Sequence, residues 1–365
     1  MSAATIKEIS LADRLRRRIA AEGPIRVCDF MDACNADARG GYYMSRQPIG
    51  AEGDFITAPE VSQIFGELLG LWCVAVWQSM GAPTSVTVAE LGPGRGTLLR
   101  DAIRAWRASP QFLQNVSVAL VETSPTLRQR QTATLAGVPV PLQWHASVDE
   151  LTDGPLIVLA NEFIDALPVR QLIRRGETWH ERRVALDRNG GFIFVEGEAV
   201  AEEHLPPLAA PAGDGEILET RAAVASLIAE LSARAARAPL AALFIDYGHV
   251  ESACGDTLQA VQRHRYADPL ESPGDADLSA HVDFADLKRE AEAQGLVAYG
   301  PLSQGEFLLK LGLGARRDRL QQGATAEQMA AVISGAARLA DPRQMGIVFK
   351  VLALTSGALP PPPPF

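Results

Sequence analysis

The chain has 365 residues but only four cysteines, and no two of them form a C-x-x-C pair. It also has only six histidines, without an H-x-x-x-H or comparable ligand spacing. Structural zinc sites and disulfide frameworks both depend on paired spacings of this kind. We therefore expect a reduced compartment and no metal site.

Long apolar runs are also lacking, because none approaches the roughly 18 residues of a membrane span. The N-terminus has no apolar signal core, so we expect a cytoplasmic protein. An excess of positive charge is missing too: 34 Lys and Arg stand against 44 Asp and Glu, a net charge of −10. This balance argues against a nucleic-acid partner and is compatible with a cationic or basic peptide ligand.

Glycine is abundant at one informative place. An apolar run that begins at Val86 leads to Glu90, and Gly92, Gly94 and Gly96 follow on alternate positions before a predicted helix. Strand, glycine turn and helix start bring backbone N–H groups against a ligand. The 2-2 glycine spacing differs from the dinucleotide fingerprint. It resembles motif I of class I S-adenosylmethionine (SAM) methyltransferases, and a glycine-rich structural turn is the alternative interpretation.

Strands and helices alternate after this point, which predicts an α/β fold with a parallel sheet covered on both faces. We expect a helical N-terminal region with a cofactor-covering loop at 1–83 and a core in two segments, 84–168 and 216–358. An inserted β meander with a linker is expected at 169–215, and a Pro-rich tail at 359–365. We also expect a helix at 216–236, a long polar cover loop at 254–281 and an extended, mobile tail.

Acidic side chains follow two of the predicted strands, at the edge where open α/β sheets bind ligands. Glu122 ends the second strand, and its carboxylate could accept hydrogen bonds from both ribose hydroxyls. Ser147 follows the third strand, where such folds contact adenine, although an ordinary loop explains it equally well. Glu162 and Asp165 follow the fourth strand, where two carboxylates could hold a guanidinium group. Helix capping by Asn161 and Glu162 is the structural alternative.

Other candidates are weaker. His281 could act as a general base, could belong to a metal site, or could tie down the cover loop, as His249 could. Tyr43 and the run Asp54–Glu60, which contains Pro59, could close over a cofactor, but core packing would explain them as well.

Longer motifs resemble the MidA family of SAM-dependent methyltransferases, whose mitochondrial members are complex I assembly factors acting as protein arginine methyltransferases. The resemblance extends over nearly the whole chain and rests on these segments: G-D-F-I-T-A-P-E-V-S-Q-I-F-G-E at 53–67, E-L-G-P-G-R-G-T-L at 90–98, V-E-T-S-P at 121–125, N-E-F-I-D-A-L-P-V-R-Q at 161–171, I-D-Y-G-H at 245–249, G-D-T-L-Q-A-V at 255–261 and D-L-S-A-H-V-D-F at 277–284. It implies a seven-stranded, Rossmann-like methyltransferase sheet and SAM as methyl donor. Because no mitochondrial targeting segment is evident, we expect a bacterial-type member.

These observations predict methyl transfer from SAM to a protein arginine, with a respiratory complex I subunit as one possible substrate. There are two alternatives. The protein could be an assembly chaperone with a methyltransferase fold and little turnover, or a methyltransferase that acts on a small molecule. The expected catalytic residues are Glu162, Asp165 and His281. The expected SAM-binding residues are Tyr43, Pro59, Glu90, Gly92, Pro93, Gly94, Gly96, Thr97, Glu122, Thr123, Ser147 and Asn161.

Overall fold

The structure is a computed structural model that describes residues 9–45, 57–201, 205–262 and 265–365. The chain divides into two units. The larger unit comprises Ile49–Asp165, Ala223–Ser252 and His281–Phe365, and the smaller unit comprises Met1–Pro48, Ala166–Ala222 and Ala253–Ala280. This division differs from the ranges expected from the sequence, which stay a prediction.

The larger unit is built on an open sheet in which seven strands form a continuous series. From one edge to the other they are Val297–Ser303, Phe349–Thr355, Leu240–His249, Leu156–Asn161, Val86–Leu91, Val116–Val121 and Leu142–His145. Phe349–Thr355 is antiparallel to both of its neighbours, and the remaining pairs are parallel. The two-residue strand Val282–Asp283 also pairs with Leu240–His249. The expected seven-stranded α/β sheet is confirmed.

The strand that precedes the glycines is buried at five of its six positions, consistent with a strand covered on both faces. Helices pack around the sheet and bury one continuous apolar core. The helices of the larger unit are Ala58–Val61, Gln63–Ser79, Thr97–Trp106, Pro110–Asn115, Pro125–Thr134, Ala222–Ala235, Phe284–Ala293, Gln304–Lys310, Leu313–Gln321, Ala326–Ala340 and Met345–Val348, with a 3₁₀ turn at Val148–Glu150. Ala222 itself falls in the smaller unit.

Among its described residues, the smaller unit contains two antiparallel sheets and three helices. One sheet follows the order Ile25–Arg26, Thr178–Leu186, Arg170–Arg175 and Ile217–Thr220, with Phe192–Val200 also paired to Thr178–Leu186. The other contains Arg265–Ala267, Gln259–Gln262 and Asp277–Ser279. The helices are Leu11–Glu22, Val27–Ala36 and Tyr42–Ser45.

Three local predictions were wrong. The helix expected from Glu216 begins only at Ala222, because Ile217–Thr220 pairs as a strand with Arg170–Arg175. The expected cover loop contains the three-stranded sheet just described. The tail is packed in place, since the Trp72 indole donates to the Pro363 carbonyl at 2.7 Å and Phe365 contacts Phe307.

Two helices approach each other closely through glycine. A Cβ on Gly66 would lie 2.8 Å from the Asp101 Cβ, and one on Gly70 would lie 2.7 Å from the Ala102 Cα. The Trp106 indole donates to the Gly70 carbonyl at 3.0 Å, so the contact also satisfies a buried donor. The helices Gln63–Ser79 and Thr97–Trp106 therefore meet backbone to backbone directly after the glycine loop.

We expect Gly70→Ala to lower the free energy of unfolding by about 1–3 kcal/mol, because the added methyl group overpacks this crossing. Urea unfolding followed by tryptophan fluorescence measures the change. Gly314→Ala is the control: its Cβ would meet no atom within 4 Å, and the helix preference of alanine should leave stability equal or slightly higher. Equal effects of the two substitutions would contradict the packing explanation.

Candidate functional site

The glycine loop, Gly92–Gly96, connects the strand Val86–Leu91 to the helix Thr97–Trp106. Gly92, Gly94 and Gly96 have φ of 60°, 51° and 80°, the left-handed region in which a side chain is strained. Gly96 occupies the N-cap position, where no side chain caps the helix. The first N–H groups of this helix therefore lack the side-chain partner that usually satisfies one of them.

Gly92 is required for a second reason. A Cβ on Gly92 would lie 2.9 Å from the Cδ2 atom of Phe163, on the turn that follows the neighbouring strand Leu156–Asn161. The glycine loop and this turn therefore pack directly against each other at the carboxyl end of the sheet. This edge is where open α/β sheets bind ligands.

A pocket opens between the glycine loop, the end of the neighbouring strand and the short helix Ala58–Val61. Its wall consists of Thr57, Pro59, Glu60, Glu90, Gly92, Pro93, Gly94, Arg95, Thr97, Leu98, Asn161 and Glu162. Eight of these twelve residues are candidates named from the sequence. Thr57 and Glu60 lie in the run Asp54–Glu60 that was expected to close over a cofactor, and the sequence interpretation missed Arg95 and Leu98.

Glu60 ties the short helix to the glycine loop. Its carboxylate accepts a hydrogen bond from the Thr97 hydroxyl and forms an ion pair with Arg95, at 3.4 Å. The segment 57–61 is therefore held beside the loop by side-chain contacts. Asp54, Phe55 and Ile56, the other part of the expected covering run, lie outside the described residues.

Two buried acceptor atoms in the pocket wall lack a partner among the described residues. They are Glu90 Oε2 and Asn161 Oδ1, on side chains that are 3% and 8% exposed. Burial alone raises the pKa of Glu90 to about 8. Unsatisfied buried acceptors are uncommon in proteins, and a ligand that carries a cationic hydrogen-bond donor would satisfy them.

Asp246 organises the turn that follows Leu156–Asn161. Its Oδ2 atom accepts hydrogen bonds from the backbone N–H groups of Phe163, Ile164 and Asp165, at 3.2, 2.9 and 3.1 Å. Its Oδ1 atom accepts from its neighbour Tyr247 at 2.9 Å. No helix begins in this turn, so the capping alternative for Asn161 and Glu162 was wrong, and the aspartate on the adjacent strand holds the backbone.

Glu162 occupies an unusual position in this turn. Its φ is 50°, and a left-handed conformation of a residue with a side chain costs about 1–3 kcal/mol. The Oε1 atom accepts from the Ala58 N–H at 3.0 Å and from the Asn161 amide at 3.1 Å. Burial, together with the neighbouring charge of Asp165, raises the pKa of Glu162 to about 7. A carboxylate with this pKa can exchange a proton near neutral pH.

Asp246 and Asp165 add to the negative charge. Asp246 is 1% exposed, and burial followed by the charge of Asp165 raises its pKa well above the ordinary value. Three acidic side chains therefore share one enclosed region, where mutual repulsion opposes full ionisation. A cation would relieve this repulsion.

The remaining candidates lie outside the wall of this pocket. Gly96 ends the glycine loop, and Glu122 is buried with Oε1 accepting from the Ser124 N–H at 2.8 Å. Ser147 precedes the 3₁₀ turn and hydrogen-bonds Asp149, and Thr123 is exposed. The roles proposed for these residues stay predictions.

The aromatic and histidine candidates are placed as follows. The His281 ring contacts the Tyr247 ring edge to face, with centroids 5.5 Å apart. Tyr43 belongs to the smaller unit, where its hydroxyl donates to Asp277 at 2.7 Å. Within the described ranges no group of three His, Cys, Asp or Glu residues is arranged to hold a metal ion. In the same ranges no helix is long and apolar enough to cross a membrane.

Comparison with known proteins identifies the family. Residues 68–302 match the profile of a family described as "Putative S-adenosyl-L-methionine-dependent methyltransferase". The chain belongs to this family.

Curated relatives extend the match to almost the whole chain. The mitochondrial protein arginine methyltransferase NDUFAF7 homolog of Drosophila melanogaster is 36% identical, over 96% of this chain and 86% of its own length. Human protein arginine methyltransferase NDUFAF7 is 34% identical, over 93% of this chain and 82% of its own length. A crystal structure from Burkholderia thailandensis bound to S-adenosyl-homocysteine has a TM-score of 0.84 and 29% identity, covering 96% of this chain and 92% of its own.

The protein is therefore a SAM-dependent methyltransferase of the MidA type, and SAM is its cofactor. The pocket fits this cofactor chemically: SAM carries an ammonium group, and Glu90 Oε2 and Asn161 Oδ1 are buried acceptors without a partner in the described part of the chain. Gly92 admits no Cβ without a clash, which is consistent with a loop shaped to approach a ligand closely.

We expect Glu90→Gln to change the pH dependence of stability. Because the pKa of Glu90 is raised from 4.5 to about 8, the folded protein holds this proton more tightly than the unfolded chain. The free energy of unfolding therefore falls as pH rises from about 4.5 to about 8. Without this group the fall is smaller, and the variant should be more stable than wild type at pH 8.5 by up to about 5 kcal/mol, at about 1.4 kcal/mol per pKa unit.

Urea unfolding of both proteins between pH 4.5 and 8.5 measures this difference. Glu306→Gln, which changes an exposed glutamate on the helix Gln304–Lys310, is the control and should follow wild type. A difference between Glu90→Gln and wild type that stays constant over this pH range would contradict the assignment.

Proposed function

We propose that this methyltransferase methylates arginine side chains of a protein. The observation that carries the proposal is the acidic turn beside the cofactor pocket, where Glu162, Asp165 and Asp246 share one enclosed region. Such a region favours a cationic acceptor over a neutral one, because a cation lowers the repulsion among carboxylates. A guanidinium group also matches carboxylates through paired hydrogen bonds.

The relatives support the same acceptor. The fly and human proteins, which align with more than nine-tenths of this chain, are both named protein arginine methyltransferases. The family resemblance suggests a respiratory complex I subunit as the first substrate to test.

Cofactor binding would involve both sides of the pocket. Glu90 and Asn161 would accept hydrogen bonds from the ammonium group, and Gly92, Pro93, Gly94, Gly96 and Thr97 would allow close approach of the loop. Glu122 and Thr123 would bind the ribose, Ser147 would lie near the adenine, and Pro59 would cover the cofactor. When bound, SAM supplies a methyl group activated by its positively charged sulfur.

The acidic turn would do the rest of the chemistry. Glu162 and Asp165 would orient the guanidinium so that one nitrogen faces the methyl group, since positioning is the main requirement of such a transfer. The methylated nitrogen must lose a proton, and Glu162, with a pKa of about 7, can accept it near neutral pH. The hydrogen bonds from Ala58 and Asn161 hold one oxygen of this carboxylate in place. His281 is a further candidate for proton transfer.

We expect Glu162→Gln to retain cofactor binding and lose methyl transfer. The amide keeps the shape of the side chain but cannot accept the proton, so the rate should fall by about 10²-fold or more. Affinity for S-adenosyl-homocysteine, measured by calorimetry, should stay within about threefold of wild type.

The transfer assay uses methyl-labelled SAM and an extract of cells from which the gene has been deleted, with mass spectrometry of the labelled residues. Glu292→Gln, which changes an exposed glutamate on the helix Phe284–Ala293, is the control variant. Label on lysine or on a small molecule would contradict the arginine proposal. Undiminished transfer by Glu162→Gln would contradict the role of Glu162, and the absence of any transfer by wild type would favour a chaperone.

A further inference from the structure

A buried amide connects the ends of three neighbouring strands. Gln131, on the helix Pro125–Thr134, is 0% exposed. Its Nε2 atom donates to the Gly94 carbonyl at 2.9 Å and to Glu122 Oε2 at 3.1 Å. Its Oε1 atom accepts from the Trp144 indole at 2.9 Å. Gly94 follows the first of the three strands, Glu122 the second, and Trp144 lies near the end of the third.

The direction of each hydrogen bond in this network is determined by its partners. An indole N–H can only donate, so the oxygen of the Gln131 amide must face Trp144. The NH₂ group then faces two acceptors, the Gly94 carbonyl and the Glu122 carboxylate, and each receives one hydrogen. Both amide hydrogens and the amide oxygen are used, so a flipped amide would place like dipoles together at all three contacts.

Gln131 holds one side of the Glu122 carboxylate. The Ser124 N–H holds the other oxygen at 2.8 Å, and Arg128 donates to the Glu122 backbone carbonyl at 2.7 Å. Burial raises the pKa of Glu122, and the bonds from Ser124 and Gln131 oppose this rise by favouring the charged form. The carboxylate is therefore held in one orientation, with further lone pairs available on both oxygens.

The same amide holds the glycine loop. Gly94 lines the cofactor pocket and has a φ of 51°, and its carbonyl is one of the two acceptors of the Gln131 NH₂ group. A glycine-rich segment would otherwise lose much conformational freedom on ligand binding. A fixed carbonyl reduces this loss because the loop is already ordered before the cofactor arrives.

We propose that Gln131 is a positioning residue for the cofactor, which orders the Glu122 carboxylate and the Gly94 peptide before binding. Gln131 acts through these two groups and does not itself belong to the pocket wall. The inference rests on the proposed role of Glu122 in binding the ribose, and its test is designed to separate the two.

The test is a double-mutant cycle in the affinity for S-adenosyl-homocysteine, measured by calorimetry. Glu122→Ala should weaken binding about tenfold or more, because charge-assisted bonds are lost. Gln131→Met, which keeps the length of the side chain without its hydrogen bonds, should also weaken binding about tenfold. The double variant should be within about threefold of Glu122→Ala, because interacting residues are not additive.

Two further variants provide controls. Gln129→Met changes an exposed glutamine on the same helix and should leave the affinity within twofold of wild type. Trp144→Phe removes the donor that orients the amide while keeping an aromatic ring, and should weaken binding about threefold or more. Cooperative unfolding in urea is the check that each variant is folded. If Gln131→Met fails this check, Trp144→Phe takes its place in the test.

Each outcome decides one point. Normal binding by Glu122→Ala overturns the proposed role of Glu122, and with it the positioning role of Gln131. If Glu122→Ala weakens binding but folded Gln131→Met binds normally, the role of Gln131 alone is overturned. If Gln131→Met is unfolded, normal binding by Trp144→Phe leads to the same conclusion. Fully additive losses in the double variant would show that Gln131 supports the fold independently of Glu122, which also overturns the proposal.

Discussion

The carboxylate of Asp246 is the interaction on which the rest of the site depends. It accepts three consecutive backbone N–H groups, from Phe163 to Asp165, and so fixes the turn that leaves the strand Leu156–Asn161. That turn places Phe163 against Gly92 and Glu162 at the wall of the cofactor pocket. One buried carboxylate thus fixes the turn that carries Glu162 to the pocket wall.

This arrangement has a cost that points to its use. Glu162 is held at a left-handed φ, and acidic groups that repel each other are enclosed together. Protein folding does not require either feature, and a cation would relieve the repulsion among the acidic groups. Glu90 Oε2 and Asn161 Oδ1, in the wall of the cofactor pocket, are buried without a hydrogen-bond partner among the described residues, and a cationic donor would satisfy them as well. The hydrogen-bond acceptors of the site would therefore be satisfied by positively charged donors.

Much of the fold could be predicted from the sequence, because buried strands and helices carry local apolar patterns. The glycine loop was also predictable, since alternate glycines after a buried strand and an acid are a local signal. The contacts of Asp246 with Ile164, of Glu60 with Thr97 and of Gln131 with Gly94 were not, because they join residues 37 to 82 positions apart along the chain. An acid directly after the apolar run 240–245 was the available signal for Asp246. Residues 217–220 form a strand although the local pattern favours a helix, because they pair with the strand Arg170–Arg175. The local sequence pattern does not contain information on this pairing.

The most direct test of the central claim is to measure methyl transfer and cofactor affinity together in Asp246→Ala. If this carboxylate holds the acidic turn in its reactive geometry, transfer at saturating SAM should fall about 10²-fold or more, because small displacements of reacting groups are costly. Affinity for S-adenosyl-homocysteine should remain within about threefold of wild type. Normal transfer, or an equal loss of transfer and affinity, would contradict the claim that Asp246 positions the acidic turn.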